Sequence, residues 1–335
     1  MLGKLAAALE RRCLLKADHD GPGVALVGIG GWGAANARAL LRSRRFRLHG
    51  AYDISAPAAA QFAARYGVQA YASYAAVLAD ARVQAVVLTV PNPLHAEMVE
   101  QAARAGKHVF VEKPLASTPA LCRELAALCR VQGVILQVGH QVRREPALCA
   151  LAAQLASGQW GVPLSVYGIR TLRRPPQGWR ADPAACPGGS MEQLGLHMID
   201  AMVALFGAPA VVDTWRRNIP YTAEGPEWGH ATLAFPGDVL GVIASSFTAP
   251  ARSHFCVTCT GGMLWTDDFR TLWGRDARRC QKLPVTGPRG DVAQFLAFAA
   301  CLTEGGTPAV GGEEAATVME VVTAVASAYR DRHAV

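Results

Sequence analysis

The residues with the clearest capacity for chemistry are three glycines that follow a short apolar run. Residues 28–33 read GIGGWG, after VALV and before the helix-like AANARALL. At the spacing of Gly28, Gly30 and Gly33, one glycine makes a tight turn, one lets a phosphate approach the backbone and one lets helix and strand pack closely. The first amides of the following helix would donate to a diphosphate. The spacing predicts a dinucleotide site, with Trp32 in the same loop.

An acidic residue ends the next predicted strand. Asp53 lies 20 residues after Gly33, where its carboxylate can accept hydrogen bonds from a ribose diol. The same carboxylate would repel a 2′-phosphate, and neither Ile54 nor Ser55 supplies an arginine to hold one. The sequence therefore favours NAD as the cofactor, with NADP as the alternative.

Polar side chains also follow two later strands. The motif VPNPLHAEM contributes Pro91, Asn92 and His95, and the motif VEKP contributes Glu112 and Lys113. Because ligands bind at the carboxyl edge of an open α/β sheet, we expect these five residues beside the cofactor. The ammonium of Lys113 can also donate to a substrate hydroxyl or carbonyl oxygen. We expect Asn92 and His95 to be structural or cofactor-side rather than catalytic.

A histidine lies within an apolar helical pattern in GGSMEQLGLHMID, residues 188–200. Imidazole titrates near neutral pH, so His197 can take the proton of an alcohol whose carbon loses hydride. On an α-helix, Gln193 lies one turn earlier on the same face, whereas Glu192 points about 100° away from residue 193. The pattern places a titratable ring in an apolar helix, with Gln193 on the same face.

A basic segment precedes this helix and contains Arg170, Arg173, Arg174 and Arg180 together with Trp179. Guanidinium forks bind carboxylates and diphosphates, and an indole stacks on sugar or nicotinamide faces. We expect Trp179 and Arg180 to bind substrate and most of the other arginines to be surface charges.

Two further residues are candidates for substrate binding. Arg143, in GHQVRREP near the domain junction, either lines the site or caps it, and Asp200 ends the His197 motif. His140 is either a cofactor neighbour or a packed histidine.

The arrangement of apolar runs predicts an α/β fold with two domains. In the first half, short β-rich runs alternate with helical stretches such as 118–133, which is typical of a parallel, doubly wound Rossmann sheet. From about residue 142 strand patterns dominate, which predicts an α+β domain with a mostly antiparallel sheet. The predicted division is an N-terminal extension at 1–21, a dinucleotide-binding domain at 22–141 and a second domain at 142–335.

Composition excludes several classes of protein. The net charge of +7 comes from arginines scattered along the chain, without a basic face or a module for nucleic acid. We find no apolar run long enough to span a membrane and no signal-peptide pattern, so we expect a cytoplasmic protein. The nine cysteines predict free thiols, and neither the spacing of Cys256 and Cys259 nor any other cluster predicts a metal site.

Taken in order, GIGGWG with Asp53, VPNPLHAEM, EKP and GGSMEQLGLHMID followed by LFG resemble the Gfo/Idh/MocA family, the glucose-fructose oxidoreductase and inositol dehydrogenase group. The resemblance covers almost the whole chain from about residue 22. It implies an NAD(P)-dependent oxidoreductase acting on CH–OH groups of sugars, cyclitols or nucleotide sugars, neutral or anionic. It also implies a large open-faced C-terminal sheet that often forms a homodimer or homotetramer interface.

Carried over by position, Lys113 would lie near the reacting carbon and the nicotinamide, and His197 would exchange the substrate proton. The usual family residue at position 193 is aspartate, and here it is Gln193. A neutral amide orients groups by hydrogen bonds but supplies no charge. Two alternatives therefore stand beside the oxidoreductase: a redox-neutral NAD-dependent glycoside hydrolase, and a non-catalytic NAD-binding sensor or partner subunit.

Overall fold

The computed structural model describes residues 21–173, 176–182, 184–186, 188–217 and 228–332. These residues form two compact units. The first comprises the residues up to Gly139 together with Asp291–Ala316, and the second comprises His140–Gly290 together with the C-terminal residues. Residues 1–20 of the predicted N-terminal extension lie outside the described residues.

The first unit contains a six-stranded parallel sheet. Its strands are β1 Gly23–Val27, β2 Arg47–Tyr52, β3 Gln69–Ala70, β4 Ala85–Leu88, β5 His108–Glu112 and β6 Leu136–Gly139. Strands β1 and β4 are buried along their whole length, in keeping with their uniformly apolar sequences and with a parallel sheet covered on both faces. The predicted doubly wound sheet is confirmed.

The order of these strands, β3-β2-β1-β4-β5-β6, creates a crevice between β1 and β4. The chain winds in opposite directions from these two strands, so their carboxyl ends mark the place where open α/β sheets bind ligands. The GIGGWG loop follows β1 and the VPNPLHAEM motif follows β4. The topology therefore brings two predicted motifs to one edge of the sheet.

The helices of the first unit before its last strand are α1 Gly31–Ser43, α2 Ala56–Tyr66, α3 Tyr74–Ala79, α4 His95–Arg104 and α5 Pro119–Val131. Helix α5 begins as its sequence predicts, since Thr118 Oγ1 accepts a hydrogen bond from the Leu121 amide at 3.2 Å and Pro119 lies in the first turn. The helix predicted over 118–133 is confirmed, and it ends at Val131.

The helices of the second unit are α6 Pro146–Ala156 and α7 Leu196–Phe206. Two further helices, α8 Gly290–Glu304 and α9 Gly312–Arg332, follow them in the chain. Helix α8 packs on the first sheet. Its Phe295 and Phe298 are fully buried against Phe46 and Phe110, and the ring centroids of Phe110 and Phe295 lie 4.6 Å apart. The predicted grouping of residues 142–335 in one domain did not anticipate this return of the chain, because aromatic packing across such a distance leaves no local signal.

The second unit is built on an eight-stranded sheet. Its strands are β7 Pro163–Thr171, β8 Ala210–Arg217, β9 Trp228–Phe235, β10 Val239–Ser246, β11 Arg252–Cys259, β12 Gly262–Thr266, β13 Leu272–Arg275 and β14 Cys280–Leu283. They lie in the order β14-β13-β12-β11-β7-β10-β9-β8, and every neighbouring pair is antiparallel except β7 with β10. The predicted mostly antiparallel sheet is confirmed.

One face of this sheet packs against α7. A Cβ atom at Gly168 of β7 would lie 2.8 Å from the Met198 Cβ of α7, so glycine is needed for the close approach. The opposite face carries Tyr167, Trp215, Leu240 and Trp273, whose exposed fractions lie between 37% and 49%. Within the described part of the chain, no helix is long and apolar enough to cross a lipid bilayer.

Candidate active site

The glycine loop, residues 28–33, joins β1 to α1. Gly28 has a φ of +82° and its amide donates to the Tyr52 carbonyl at 2.8 Å. A Cβ atom at Gly33 would lie 2.1 Å from the Gly28 oxygen, so this position requires glycine for the loop to close. At Gly30 a Cβ atom would meet no protein atom within 4 Å, and no side chain caps α1 there. This open surface beside a helix N-terminus fits a dinucleotide diphosphate.

Asp53 follows β2, the strand that pairs with β1. Its Oδ2 accepts a hydrogen bond from the Ile29 amide at 2.8 Å, and its Oδ1 accepts one from the Ser55 amide at 2.9 Å. These bonds fix the partly exposed carboxylate directly beside the glycine loop. Each carboxylate oxygen keeps a second lone pair with which it can accept a ribose hydroxyl.

Glu112 ends β5, and its carboxyl group is buried. Oε1 accepts a hydrogen bond from Asn36 Nδ2 of α1 at 2.9 Å, and the Trp32 side chain also bonds to this carboxyl group. Burial raises the pKa of Glu112. The carboxyl group thus ties α1 to β5 inside the protein, beside Lys113. Sequence reasoning missed Asn36, which no motif distinguishes from other positions of an amphipathic helix.

His95 is fully buried between two chain segments. Its Nδ1 lies 2.6 Å from the Pro114 carbonyl oxygen and its Nε2 lies 2.9 Å from the Val90 carbonyl oxygen. Burial lowers the pKa of His95, and the charge of Lys113 lowers it further. His95 therefore holds the segment after β4 to the segment after β5.

Three other predicted cofactor residues, Pro91, Asn92 and Lys113, are more accessible than His95. Pro91 and Asn92 are partly buried where a short 3₁₀ turn, Asn92–Leu94, follows β4. Lys113 is also partly buried, at the carboxyl edge of β5, and its peptide bond to Pro114 is cis. Lys113, Pro91 and Asn92 follow the neighbouring strands β4 and β5 at the edge predicted for the cofactor.

The second unit contains a buried charged cluster of Arg143, Asp200 and His140. Arg143 Nε donates to both Asp200 oxygens, at 3.0 and 2.9 Å, and Nη2 also contacts Oδ1. His140 Nδ1 lies 2.9 Å from Asp200 Oδ1. Burial acts to raise the pKa of Asp200, but the charges of His140 and Arg143 together outweigh it and hold that pKa below its usual value.

This cluster changes the view of Asp200 taken from the sequence. Asp200 is fully buried, and its carboxylate binds Arg143 and His140. The side chain predicted to bind substrate therefore positions Arg143, another predicted substrate residue. No local pattern indicates this pairing, because 57 residues separate the two partners.

The segment predicted as a continuous α-helix begins with one wide π-helical turn, Met191–Gly195, called the π turn below. A Cβ atom at Gly195 would lie 2.3 Å from the Met191 sulfur, so the missing side chain makes room for Met191. Glu192 is buried, and its Oε2 accepts the Gly188 amide at 3.0 Å. Such wide turns are frequent at functional sites.

Gln193 and His197 lie on and just after the π turn. Gln193 Nε2 donates to the Arg180 carbonyl oxygen at 3.0 Å. His197 is buried in the first turn of α7, with 4% of its surface exposed. The amide of Gln193 thus links the helix to the segment that carries Trp179 and Arg180.

Trp179 and Arg180 lie in a short 3₁₀ turn, Gly178–Ala181. The Arg180 guanidinium carbon lies 4.4 Å from the centroid of the Trp179 ring, and Arg180 is exposed. The stack fixes a cation and an aromatic face together. Arg174, named with them in the basic segment, lies outside the described residues.

Two models of known protein families match the chain. The family model described as "Oxidoreductase family, NAD-binding Rossmann fold" matches residues 23–140, and the "GFO/IDH/MocA C-terminal domain" model matches residues 149–265. The chain belongs to the Gfo/Idh/MocA family. This membership confirms the predicted enzyme class, an NAD(P)-dependent oxidoreductase acting on CH–OH groups, and the predicted nicotinamide cofactor.

Curated members of the Gfo/Idh/MocA family resemble the chain over most of its length. A 1,5-anhydro-D-fructose reductase of Ensifer adhaerens is 29% identical over 82% of this chain and 87% of the relative. A D-xylose 1-dehydrogenase (NADP(+)) of Haloferax volcanii is 29% identical over 76% of this chain and 81% of the relative. These relatives are sugar oxidoreductases by name.

Solved structures of the Gfo/Idh/MocA family share the fold. An aldose-aldose oxidoreductase of Caulobacter crescentus superposes with a TM-score of 0.87, at 22% identity, over 93% of this chain and 98% of its own. An NAD binding oxidoreductase of Klebsiella pneumoniae superposes with a TM-score of 0.85, at 23% identity, over 93% and 98%.

The cysteines of this Gfo/Idh/MocA protein show no arrangement for metal binding or redox chemistry in the described residues. Cys256 and Cys259 lie three positions apart on β11, with an irregularity in strand register between Thr258 and Cys259. Burial raises the pKa of Cys256 to about 11 and also raises that of Cys259, which opposes thiolate formation. No group of three or more His, Cys, Asp or Glu side chains among the described residues is placed to hold a metal ion.

Proposed function

We propose that this protein interconverts a secondary alcohol and a ketone on a sugar, cyclitol or nucleotide sugar, with NAD(H) as the preferred cofactor. The observation that carries the proposal is the presence, in a member of this family, of a glycine loop open at Gly30 and a buried histidine after the π turn. Asp53 supports NAD over NADP because its carboxylate, fixed beside the loop, repels a 2′-phosphate.

Lys113 and His197 are the proposed catalytic residues, as the family pattern implies. The nicotinamide, when bound, accepts hydride from the alcohol carbon or returns it to the ketone. His197 takes the hydroxyl proton in the oxidative direction and returns it in the reductive one. The Lys113 ammonium holds the substrate oxygen and favours the negative charge that develops on it during proton transfer.

Gln193 is proposed to act by orientation. Its amide, bonded to the Arg180 carbonyl, fixes the π turn on the segment that carries the Trp179–Arg180 stack. Because an amide is neutral, His197 loses the electrostatic support that a carboxylate at this position would supply. We expect an active enzyme whose histidine titrates at lower pH than with an aspartate there.

The proposed substrate residues divide into contact and positioning residues. The exposed Trp179–Arg180 stack is suited to a sugar face and its hydroxyl or anionic groups. Arg143 is held by the buried Asp200, so Asp200 is proposed to act through Arg143.

A homodimer or homotetramer is proposed on the basis of the open face of the eight-stranded sheet. Large apolar side chains stay 37% to 49% exposed there, including Tyr167, Leu240 and Trp273. Contiguous apolar surface of this kind marks interaction sites. Sedimentation velocity tests it: a Tyr167→Glu variant should sediment as a smaller species than the parent, and a parent that is monomeric at all concentrations would exclude the assembly.

The function is tested by absorbance at the reduced-nicotinamide band with NAD and NADP in parallel, over free sugars, inositols, sugar acids and nucleotide sugars. Reduction of NAD by one class supports the proposal and names the class. His197→Ala should lose about 10²–10⁴-fold in turnover while NADH binding, measured by fluorescence titration, stays unchanged. Normal turnover in this variant would rule out the proton-transfer role.

The two alternatives have distinct signatures in the same experiment. Cleavage of a glycoside without net absorbance change indicates the redox-neutral hydrolase. Cofactor binding without turnover in either direction, combined with a stable complex with another protein, indicates a sensor or partner subunit.

A further inference from the structure

Arg170, on the central strand β7, is a cation that the proposed reaction does not use. It pairs in register with Ser245 of β10 and Ser253 of β11. Side chains alternate along a strand, so Arg170 shares the helix-covered face with Gly168, which packs against Met198. Arg170 therefore lies on the side of the sheet where α7 begins.

The residues beside Arg170 connect it to the π turn. The Ser245 hydroxyl lies 3.1 Å from the Ser190 hydroxyl and 3.9 Å from the Met191 sulfur. Both contacts are with the segment that leads through Gln193 to His197. Arg170 is thus one strand away from the turn that positions the proposed proton-transfer residue.

The side chains that flank Arg170 across the strands are hydrogen-bond donors. Ser245 and Ser253 occupy the neighbouring positions of the same row on the same face. The guanidinium and the Ser253 hydroxyl beside it are donors that suit an anion, whereas the buried Ser245 hydroxyl bonds to Ser190 and Met191.

Arg170 differs in one decisive respect from Arg143. Arg143 forms an ion pair with the Asp200 carboxylate through Nε and Nη2. Arg170 is partly buried, and no described residue accepts a hydrogen bond from its guanidinium or forms an ion pair with it within 4 Å. Burial lowers the pKa of Arg170, while the charge of Glu145 acts to raise it. A cation removed from water without a close ion pair is costly, and an anionic ligand would offset that cost.

We propose that Arg170, with Ser253 beside it, binds an anionic group of the substrate, a carboxylate or a phosphate. The inference rests on the proposed sugar oxidoreductase function and names its substrate class as a sugar acid or a sugar phosphate. The planar fork of arginine matches the two oxygens of either group.

The test measures binding and turnover separately for a matched set of probes: D-glucose, D-gluconate, D-glucuronate and D-glucose 6-phosphate. Calorimetry on the NADH-loaded protein gives the binding constants, and absorbance with NAD gives turnover. We expect the parent to bind at least one anionic probe about 100-fold more tightly than D-glucose, as a charge-assisted pair of hydrogen bonds implies. Tighter binding of gluconate or glucuronate than of glucose 6-phosphate indicates a carboxylate site. The reverse order indicates a phosphate site.

The variants are Arg170→Met, Arg170→Lys and, as a control, Arg173→Met. Arg173 is an exposed arginine nearby whose Nε donates to the Thr248 carbonyl at 3.2 Å. We expect Arg170→Met to lose the preference for the anion, Arg170→Lys to keep part of it, and Arg173→Met to keep all of it. Because Arg170→Met removes a largely buried cation that forms no ion pair with a described residue, its melting temperature should equal or exceed that of the parent.

Two results would overturn the proposal. One is a parent protein that binds D-glucose as tightly as every anionic probe, and the other is an Arg170→Met variant that keeps the preference for an anion. Reduction of NAD by neutral sugars alone would refute the proposal while upholding the oxidoreductase function. Arg170-dependent binding of an anion without turnover would uphold the site and refute that function.

Discussion

At the scale of single residues, Gln193 is the departure with the greatest chemical consequence. The family resemblance implies aspartate at this position, four residues before His197. The structure gives the amide a use that a sequence does not show, since its Nε2 donates to the Arg180 carbonyl. An aspartate, being shorter and lacking an N–H donor, would leave that carbonyl without this bond. The amide at position 193 therefore links the π turn to the segment that carries the Trp179–Arg180 stack.

We predict that Gln193→Asp shifts the pH dependence of alcohol oxidation. A carboxylate near His197 stabilises the imidazolium and raises its pKa. Only neutral imidazole accepts the substrate proton, so the acidic limb of the kcat profile should move to higher pH by about one unit. The measurement is kcat from pH 5 to 10 with saturating NAD and substrate.

Gln193→Asn is the matched control, because it has the length of aspartate without the charge. Its acidic limb should stay where the parent has it. If Asp and Asn variants give the same profile, the charge at residue 193 does not act on His197.

At the scale of elements, two glycines of the glycine loop are expected to have different roles, Gly33 in folding and Gly30 in cofactor binding. We predict that Gly33→Ala lowers the melting temperature of the cofactor-free protein, because its Cβ would lie 2.1 Å from the Gly28 oxygen. Gly30→Ala should leave that melting temperature unchanged, since its Cβ meets no protein atom within 4 Å. It should nevertheless weaken NAD binding, by about tenfold or more, by blocking the approach of the diphosphate.

Differential scanning fluorimetry without cofactor and calorimetric titration with NAD check this pair of variants. An unchanged Kd for NAD in Gly30→Ala would show that the diphosphate does not approach this glycine.

The elements also show where sequence patterns suffice and where they fail. The order of strand, glycine loop, helix and acid, and the capped start of α5 at Thr118, follow from neighbouring residues and were predictable. The π turn was not, because its width depends on how Met191 packs against Gly195. The prediction used α-helical angles to place Glu192, and the structure instead bonds Glu192 to the Gly188 amide.

The pair of Arg143 and Asp200 joins the 3₁₀ turn Gln141–Arg144 to α7, and we predict that Asp200→Asn destabilises the fold. Breaking a buried ion pair on one side costs about 3–5 kcal/mol in the free energy of unfolding. The folded-state pKa of Asp200 is lowered, so its contribution is present above the unfolded pKa near 4 and is lost as pH falls through the lower folded value.

Chemical denaturation of parent and variant between pH 3 and 8 checks this. The difference between them should be constant at neutral pH and shrink below about pH 4. Asp238→Asn, at an exposed turn position, should behave like the parent throughout. A difference that stays constant down to pH 3 would contradict the assigned ion pair.

At the scale of the whole molecule, the fold class was predictable and the path of the chain was not. Alternation of apolar runs predicted a parallel sheet followed by a mostly antiparallel one, and both are present. The return of α8 to the first sheet was missed, because a helix pattern near residue 290 does not state which sheet it will cover. In the structure, α8 covers the first sheet, where its Phe295 and Phe298 pack against Phe46 and Phe110.

This return of the chain predicts that stability of the first unit depends on residues near the C-terminus. Phe298→Ala should lower the free energy of unfolding of the first unit by about 3–5 kcal/mol, since it leaves a cavity among fully buried rings. Val131→Ala is the control, because Val131 is 80% exposed and its loss should change stability by less than about 0.5 kcal/mol.

Amide hydrogen exchange under native conditions locates the effect of Phe298→Ala. Exchange should accelerate in β1 and β5, which form the sheet beneath α8, and stay nearly unchanged in β10 of the second unit. A fragment ending at residue 141 should fail to fold, because it exposes Phe46 and Phe110 without their partners. Equal acceleration in both sheets would instead mean that the two units unfold as one, and a folded fragment would show that α8 is dispensable.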